Sequence, residues 1–195
     1  MYLGLLVPAV LVADPALSLE NQGIRYEYDA AGRLIAVKDG RGFASTYVYD
    51  RANNRSQVVS INQFQTAFEA ENLHHQIGYA EGSGWAATVQ HPYGAMVYGP
   101  YSSTTPAGQR VGTFRILVDN VNADNSSVVQ VDVYDATAGQ VVAQRIISRG
   151  EWAAPWTYQV FELPFDWSTR AGHLIELRVW YLGTSHVNVD KVGYY

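Results

Sequence analysis

No stretch of twelve residues in this chain keeps a helical period, and that constrains its fold more than any other feature. From Ile61 onward, short runs of alternating apolar and polar residues follow one another, separated by Gly, Asn, Asp or Pro. Phe114, Ile116 and Val118 face one way, and Val129-Val131-Val133 and Leu177-Val179-Tyr181 repeat the pattern. Period two marks a strand with one buried face. The spacing predicts about nine strands, at 67–71, 85–90, 94–98, 111–119, 128–135, 140–147, 157–163, 173–181 and 187–193, hence an all-β, antiparallel β-sandwich. The chain can fill a core, with 48% hydrophobic against 16% charged residues, so a disordered chain is excluded. A net charge of −5 with no basic block argues against nucleic acid or an anionic membrane as partner. The absence of Cys removes disulfides, thiolate metal sites and thiol nucleophiles together.

The first sixty residues have a different texture. Residues 3–13 (LGLLVPAVLVA) are too short an apolar run to span a bilayer, but they have the length of a signal-peptide core. Ala16 and Ser18 stand where small residues flank a cleavage site, although no Lys or Arg precedes the run. Residues 1–19 are therefore expected to be either an export signal, placing the protein in a secreted or cell-surface setting, or an apolar N-terminal strand. Residues 20–60 contain a repeat: Tyr26-Glu27-Tyr28-Asp29 returns 21 residues later as Tyr47-Val48-Tyr49-Asp50. Three residues after each Asp comes one that tolerates positive φ, Gly32 and Asn53. Ile24-Tyr26-Tyr28 followed by Leu34-Ala36 reads as strand, turn, strand. Two β-hairpins are expected, appended to the sandwich at its N-terminal side.

The segments YEYDAAGRLIAV and YVYDRANNR resemble the YD repeats of RHS-type proteins, over about residues 22–60. That resemblance implies β-hairpins of the kind that wrap into large secreted shells. One repeat cannot bury its own face, so two copies must pack on the following domain, pair with a neighbouring protein chain, or hang as a flexible neck. Residues 64–195 carry a second set of landmarks: Phe68-Glu69-Ala70-Glu71 at the opening, Ala107-Gly108-Gln109-Arg110-Val111 before a long strand, and Asn188-Val189-Asp190-Lys191-Val192 at the close. In that order they resemble galactose-binding-like jelly rolls, the carbohydrate-binding modules of the family 6 and family 35 type.

Glu69 and Glu71 lie two apart, so on a strand both project from one face, and Asp190 on the last strand can lie beside them. Adjacent carboxylates must be solvated, protonated or paired with a cation. The family resemblance implies that Glu69, Glu71 and Asp190 hold a structural calcium, an ion that takes oxygen ligands. A solvated acidic edge neutralised by Lys191 or an Arg is the plain alternative. As a glycosidase pair these carboxylates point in parallel rather than across a substrate. The five His show no metal-binding spacing, and no nucleophile elbow is present, so no enzyme is expected.

Saccharide rings need a flat aromatic surface and fixed polar groups, and loops at a sandwich end are where to look. Trp85 follows a Gly-Ser-Gly turn, Tyr101 follows Gly99-Pro100, Trp152 and Trp156 bracket Ala153-Ala154-Pro155, and His186 and Asn188 lie in or beside the last loop. By position in the resembled modules, these six residues are the candidate ligand contacts. Burial under a neighbouring loop competes with stacking for both Trp152 and Trp156. Trp180 and Tyr158 lie inside strand patterns and are read as core or sheet-face residues. The expected function is a non-catalytic carbohydrate-binding module of an exported protein. The alternative is a structural or assembly module with no sugar ligand.

Overall fold

The computed structural model describes residues 23–195, so the apolar run at 1–19 lies outside the described residues. The first four strands are β1 (Arg25–Tyr28), β2 (Leu34–Lys38), β3 (Phe43–Tyr49) and β4 (Arg55–Asn62), which form a separate antiparallel meander in the order β1-β2-β3-β4. Eleven more follow: β5 (Thr66–Glu69), β6 (Tyr79–Glu81), β7 (Gly84–Ala87), β8 (Gly94–Val97), β9 (Pro100–Ser102), β10 (Gln109–Val118), β11 (Ser127–Asp135), β12 (Gln140–Ser148), β13 (Gln159–Asp166), β14 (Ile175–Tyr181) and β15 (Val187–Tyr194). One sheet runs β13-β10-β15-β7-β6 with β5 also on β15; the other runs β12-β11-β14-β8 with β9 also on β14. The antiparallel sandwich and the appended hairpins are as expected. The additions are two three-residue strands, β6 and β9, too short to show a period.

Alternation fills the core. Phe114, Ile116 and Val118 from one sheet, with Val129, Val131, Val133, Leu177, Val179 and Tyr181 from the other, are fully buried. Phe161, Leu163, Phe165 and Trp167 close one side. Trp167 lies in the loop after β13 with no exposure, so it plugs the core instead of facing a ligand.

The meander is built on a repeated turn. Asp29 Oδ1 accepts the N–H groups of Ala31 and Arg33, both at 2.9 Å, and Asp50 Oδ1 accepts those of Ala52 and Asn54 at 2.8 and 2.9 Å. These backbone donors hold both carboxyls below their ordinary pKa. Asp39 makes the same turn between the two copies, accepting Arg41 and Phe43 at 3.0 Å each. Gly32, Gly42 and Asn53 close the three turns at positive φ.

The Asp39 turn is the joint with the sandwich. Gln63 N–H donates to Gly42 O at 2.6 Å, Thr113 Oγ1 donates to Gln63 O at 2.9 Å, and the buried Arg115 donates through Nε to Gly40 O. The ring of Phe64 lies so close to Gly42 that a Cβ there would meet it at 2.4 Å. Lys38 Nζ reaches from β2 to Glu27 Oε1 at 3.2 Å and to Glu162 Oε2 on β13 at 3.8 Å. No helix among the described residues is long and apolar enough to cross a membrane.

Candidate functional site

The structure brings three of the six candidate ligand contacts together. Trp156 sits in the loop before β13, 60% exposed, with its backbone in the left-handed region at φ 54° and its N–H donating to Val118 O at 2.8 Å. A left-handed backbone is costly for a bulky residue and is kept where surrounding structure imposes it. The His186 ring lies 5.1 Å from the indole, and its Nε2 is 3.0 Å from Glu81 Oε2. Asn188 anchors the group from β15: its Nδ2 donates to Glu81 O and Oε2, both at 3.1 Å, and its Oδ1 accepts the Tyr158 hydroxyl at 3.1 Å. A flat exposed indole therefore stands beside an ordered patch of carboxylate and imidazole.

Glu81 and Tyr158 were not among the sequence candidates. Glu81 closes the β6–β7 hairpin opposite Gly84, where a Cβ would come within 2.3 Å of Asn188 Oδ1. The missing side chain makes the space that Asn188 fills. An acidic residue just ahead of Gly82-Ser83-Gly84 was the available signal.

The other three candidates lie elsewhere. Trp152 is 3% exposed; its Nε1 donates to Ile116 O at 2.9 Å and its ring meets Phe161 edge-on at 4.6 Å, so it is core. Trp85 is stacked on the His75 ring at 3.5 Å, and its Nε1 donates to Ile77 O at 2.7 Å. Tyr101 belongs to the opposite sheet, 38% exposed at φ 61° and edge-on to the His74 ring. It hydrogen-bonds Glu176, whose carboxyl burial pushes above its ordinary pKa; burial, with that charge beside it, raises the Tyr101 phenol too.

The three carboxylates expected to bind calcium do not converge. β5 ends at Glu69, and Glu71 falls in a 3-10 turn at Ala70–Asn72, so the two do not share a strand face as the sequence reading required. Asp190 is the extra residue of a bulge on β15, between the pairs Arg115↔Lys191 and Ile116↔Val189. Its Oδ2 lies 2.7 Å from Arg115 Nη1 and 3.5 Å from Lys191 Nζ, while Glu69 Oε1 lies 3.4 Å from the same Lys191. These contacts are those of the acidic edge neutralised by cations. Among the described residues no group of three or more His, Asp or Glu side chains is placed to hold a metal ion.

A second aromatic surface covers the outer face of the β12-β11-β14-β8 sheet. Arg178 lies 3.9 Å over the Tyr134 ring and 5.4 Å from Trp180, and donates to Asp132 at 2.6 and 3.2 Å. Tyr93, from the loop before β8, stacks on Trp180 at 5.9 Å. Trp180 is thus on the sheet face, as its strand position indicated.

With the geometry in place, comparison with known proteins identifies the hairpin segment. Residues 28–62 match the RHS repeat family. The toxin protein Tse5 of Pseudomonas aeruginosa is 40% identical over 65 residues, a match covering 31% of this chain and 5% of that protein. The chain therefore spans about one-twentieth of the curated relative it matches. Among solved structures, a carbohydrate-binding module of Cellvibrio mixtus lichenase 5A, in complex with cellotriose, overlaps 66% of this chain and 95% of its own at 15% identity and a TM-score of 0.40. Another structure, described as carbohydrate-binding modules from the β-sandwich superfamily, overlaps 90% and 87% at 9% identity and a TM-score of 0.38. A Fischerella cyclase bound to an indole compound overlaps 93% and 92% at 13% identity and 0.37. These overlaps are too loose to position any side chain.

Proposed function

We propose that this chain is a non-catalytic carbohydrate-binding module on an exported protein, attached through its YD hairpins. The observation that carries this reading is Trp156, an exposed indole held by a left-handed backbone beside His186 and Glu81. An indole face takes the C–H face of a pyranose, and the adjacent carboxylate and imidazole take hydroxyls. Glu81 is engaged by Asn188 and His186, an arrangement suited to fixed recognition and unlike two carboxyls facing each other across a bond to be cleaved. Retention of the chain on immobilised polysaccharides, followed by calorimetry with oligosaccharides, tests it. Trp156→Ala should weaken binding roughly tenfold or more with unchanged thermal stability. Equal binding by wild type and variant overturns the reading.

A second reading, an assembly module, has its own observation. Among the described residues β4 pairs only with β3, seven of its eight residues are exposed, and Val58 and Val59 are among them. An exposed edge strand is a template for another chain. If it is used, Val58→Lys should abolish self-association seen by analytical ultracentrifugation and leave sugar retention intact.

A further inference from the structure

The hairpin meander and the sandwich line an open cavity of about 240 Å³ at their joint. Ala153, Ala154 and the Tyr158 ring make an apolar part of its wall, and Lys38, Gln63 and Glu162 make a polar part. Two features of the polar wall define what it can take. The cations of the lining, Arg25 and Lys38, are equalled in number by Glu27 and Glu162, and Asp39 is paired with Arg41, so the formal charges there balance. Gln63 is 1% exposed and donates through Nε2 to Glu162 Oε1 at 2.7 Å, yet its Oε1 has no hydrogen-bond partner among the described residues. A buried amide oxygen without a donor is costly, about 1–3 kcal/mol. Glu162 meanwhile takes a second donor from the Tyr195 hydroxyl at 2.8 Å, which leaves its other oxygen to Lys38.

We propose that this cavity is a binding site for a small neutral polyhydroxylated ligand, of the size of a single hexose. The apolar wall accepts a C–H face, and a ligand hydroxyl supplies the donor that Gln63 Oε1 lacks. A volume of about 240 Å³ lies just under the ~300–1,000 Å³ of ordinary small-molecule pockets, which suits a ligand of one ring. The Trp156 indole is not part of the cavity lining, although the two places share Tyr158, whose ring lines the cavity and whose hydroxyl donates to Asn188. The cavity exists only where the meander docks, so a bound ligand would also fasten the two units together.

Calorimetry of the full chain with D-glucose and D-galactose, and with glucuronate and glucosamine as charged counterparts, tests the proposal. Saturable binding of a neutral hexose is expected, at least tenfold tighter than of either charged sugar. Gln63→Leu should weaken it tenfold or more, and Ala154→Trp, which fills the cavity, should abolish it. Ala153 is exposed, so Ala153→Phe blocks the same wall without disturbing the core should Ala154→Trp fail to fold. No saturable binding by either neutral hexose, preference for a charged sugar, or binding that survives Ala153→Phe and is lost in Trp156→Ala would each overturn it. The last outcome assigns the sugar to the Trp156 patch and leaves that reading standing; loss of polysaccharide retention alone leaves the cavity standing.

Discussion

Two tryptophans four residues apart show how much one position decides. Trp152 follows a 3-10 turn at Arg149–Glu151 and points into the core; Trp156 follows Pro155 and points out. Trp152→Ala should cost about 3–5 kcal/mol in urea unfolding, the range for deleting a buried indole, whereas Trp156→Ala should cost almost nothing. Sequence position could not separate them, because both bracket the same apolar loop. What separates them is the distance to Ile116 O, a long-range fact no local pattern contains. The ion pair of Asp190 was illegible for a related reason. A carboxylate on the last strand was legible, but its partner Arg115 lies on β10, and a bulge aims one at the other. Asp190→Ala removes the carboxylate 2.7 Å from a buried guanidinium and should cost about 3–5 kcal/mol. Thermal melts should be the same with calcium or with chelator; a melting temperature that rises with calcium would restore the metal-binding reading. Asp124 is one of several carboxyls that make stability depend on acid, with Asp29, Asp39, Asp50, Asp135 and Asp166. The Ser126 backbone N–H and hydroxyl and the Arg149 guanidinium hold its carboxyl at about 2. The folded chain then binds fewer protons than the unfolded one as pH falls from the ordinary carboxylate range, so the stability this group contributes is full above that range and is lost as pH drops through about 2. Carboxyl NMR should give that midpoint, and Asp124→Asn should flatten the acid limb of the stability curve.

Strands were legible wherever one face is buried and the other wet. The nine expected runs fall on observed strands, with ends shifted by a few residues. Legibility failed where a strand is too short for a period, at β6 and β9, and where backbone hydrogen bonding changes mid-run, at Ala70. The second failure moved Glu71 off the strand face it was expected to share with Glu69. The turn repeat was only half visible. Tyr-x-Tyr-Asp flags Asp29 and Asp50, but Asp39 follows Val37-Lys38 and shares only the carboxylate and, three residues on, a position at positive φ, Gly42 beside Gly32 and Asn53. The structure gives all three the same chemistry, so the turn is the conserved unit of shape within this meander and the tyrosines are not required for it. Asp39→Ala removes the acceptor of two backbone N–H groups and of the Arg41 side chain. A loss of about 1–2 kcal/mol is expected, the size of a lost helix cap, with hydrogen exchange rising first in β2 and β3.

At the scale of the molecule, the two units are fastened through a small number of buried contacts. Gly40 O on Arg115, Gly42 O on Gln63 N–H, and Phe64 against Gly42 all belong to the Asp39 turn, and Lys38 to Glu162 stands at the edge. The sandwich has a core of its own, whereas the meander buries little beyond Ala36 and Ala44 and leaves Tyr26, Tyr28, Phe43 and Val58 exposed. A four-stranded sheet with so little buried surface draws its stability from the joint. Gly42 is therefore the most sensitive position for coupling. Its φ of 98° is strained for any other residue, and a Cβ would sit 2.4 Å from the Phe64 ring. Gly42→Ala should cost about 1–3 kcal/mol at the joint and little inside the sandwich. Wild type should unfold in one transition by far-UV circular dichroism and by tryptophan fluorescence alike. In the variant the β1–β4 amides should exchange and be cleaved by protease well before those of β10, β11 and β14, while the tryptophan transition, which reports the sandwich, stays within a few degrees of wild type. A variant that still unfolds as a single unit would mean that the meander is held by contacts other than its turn.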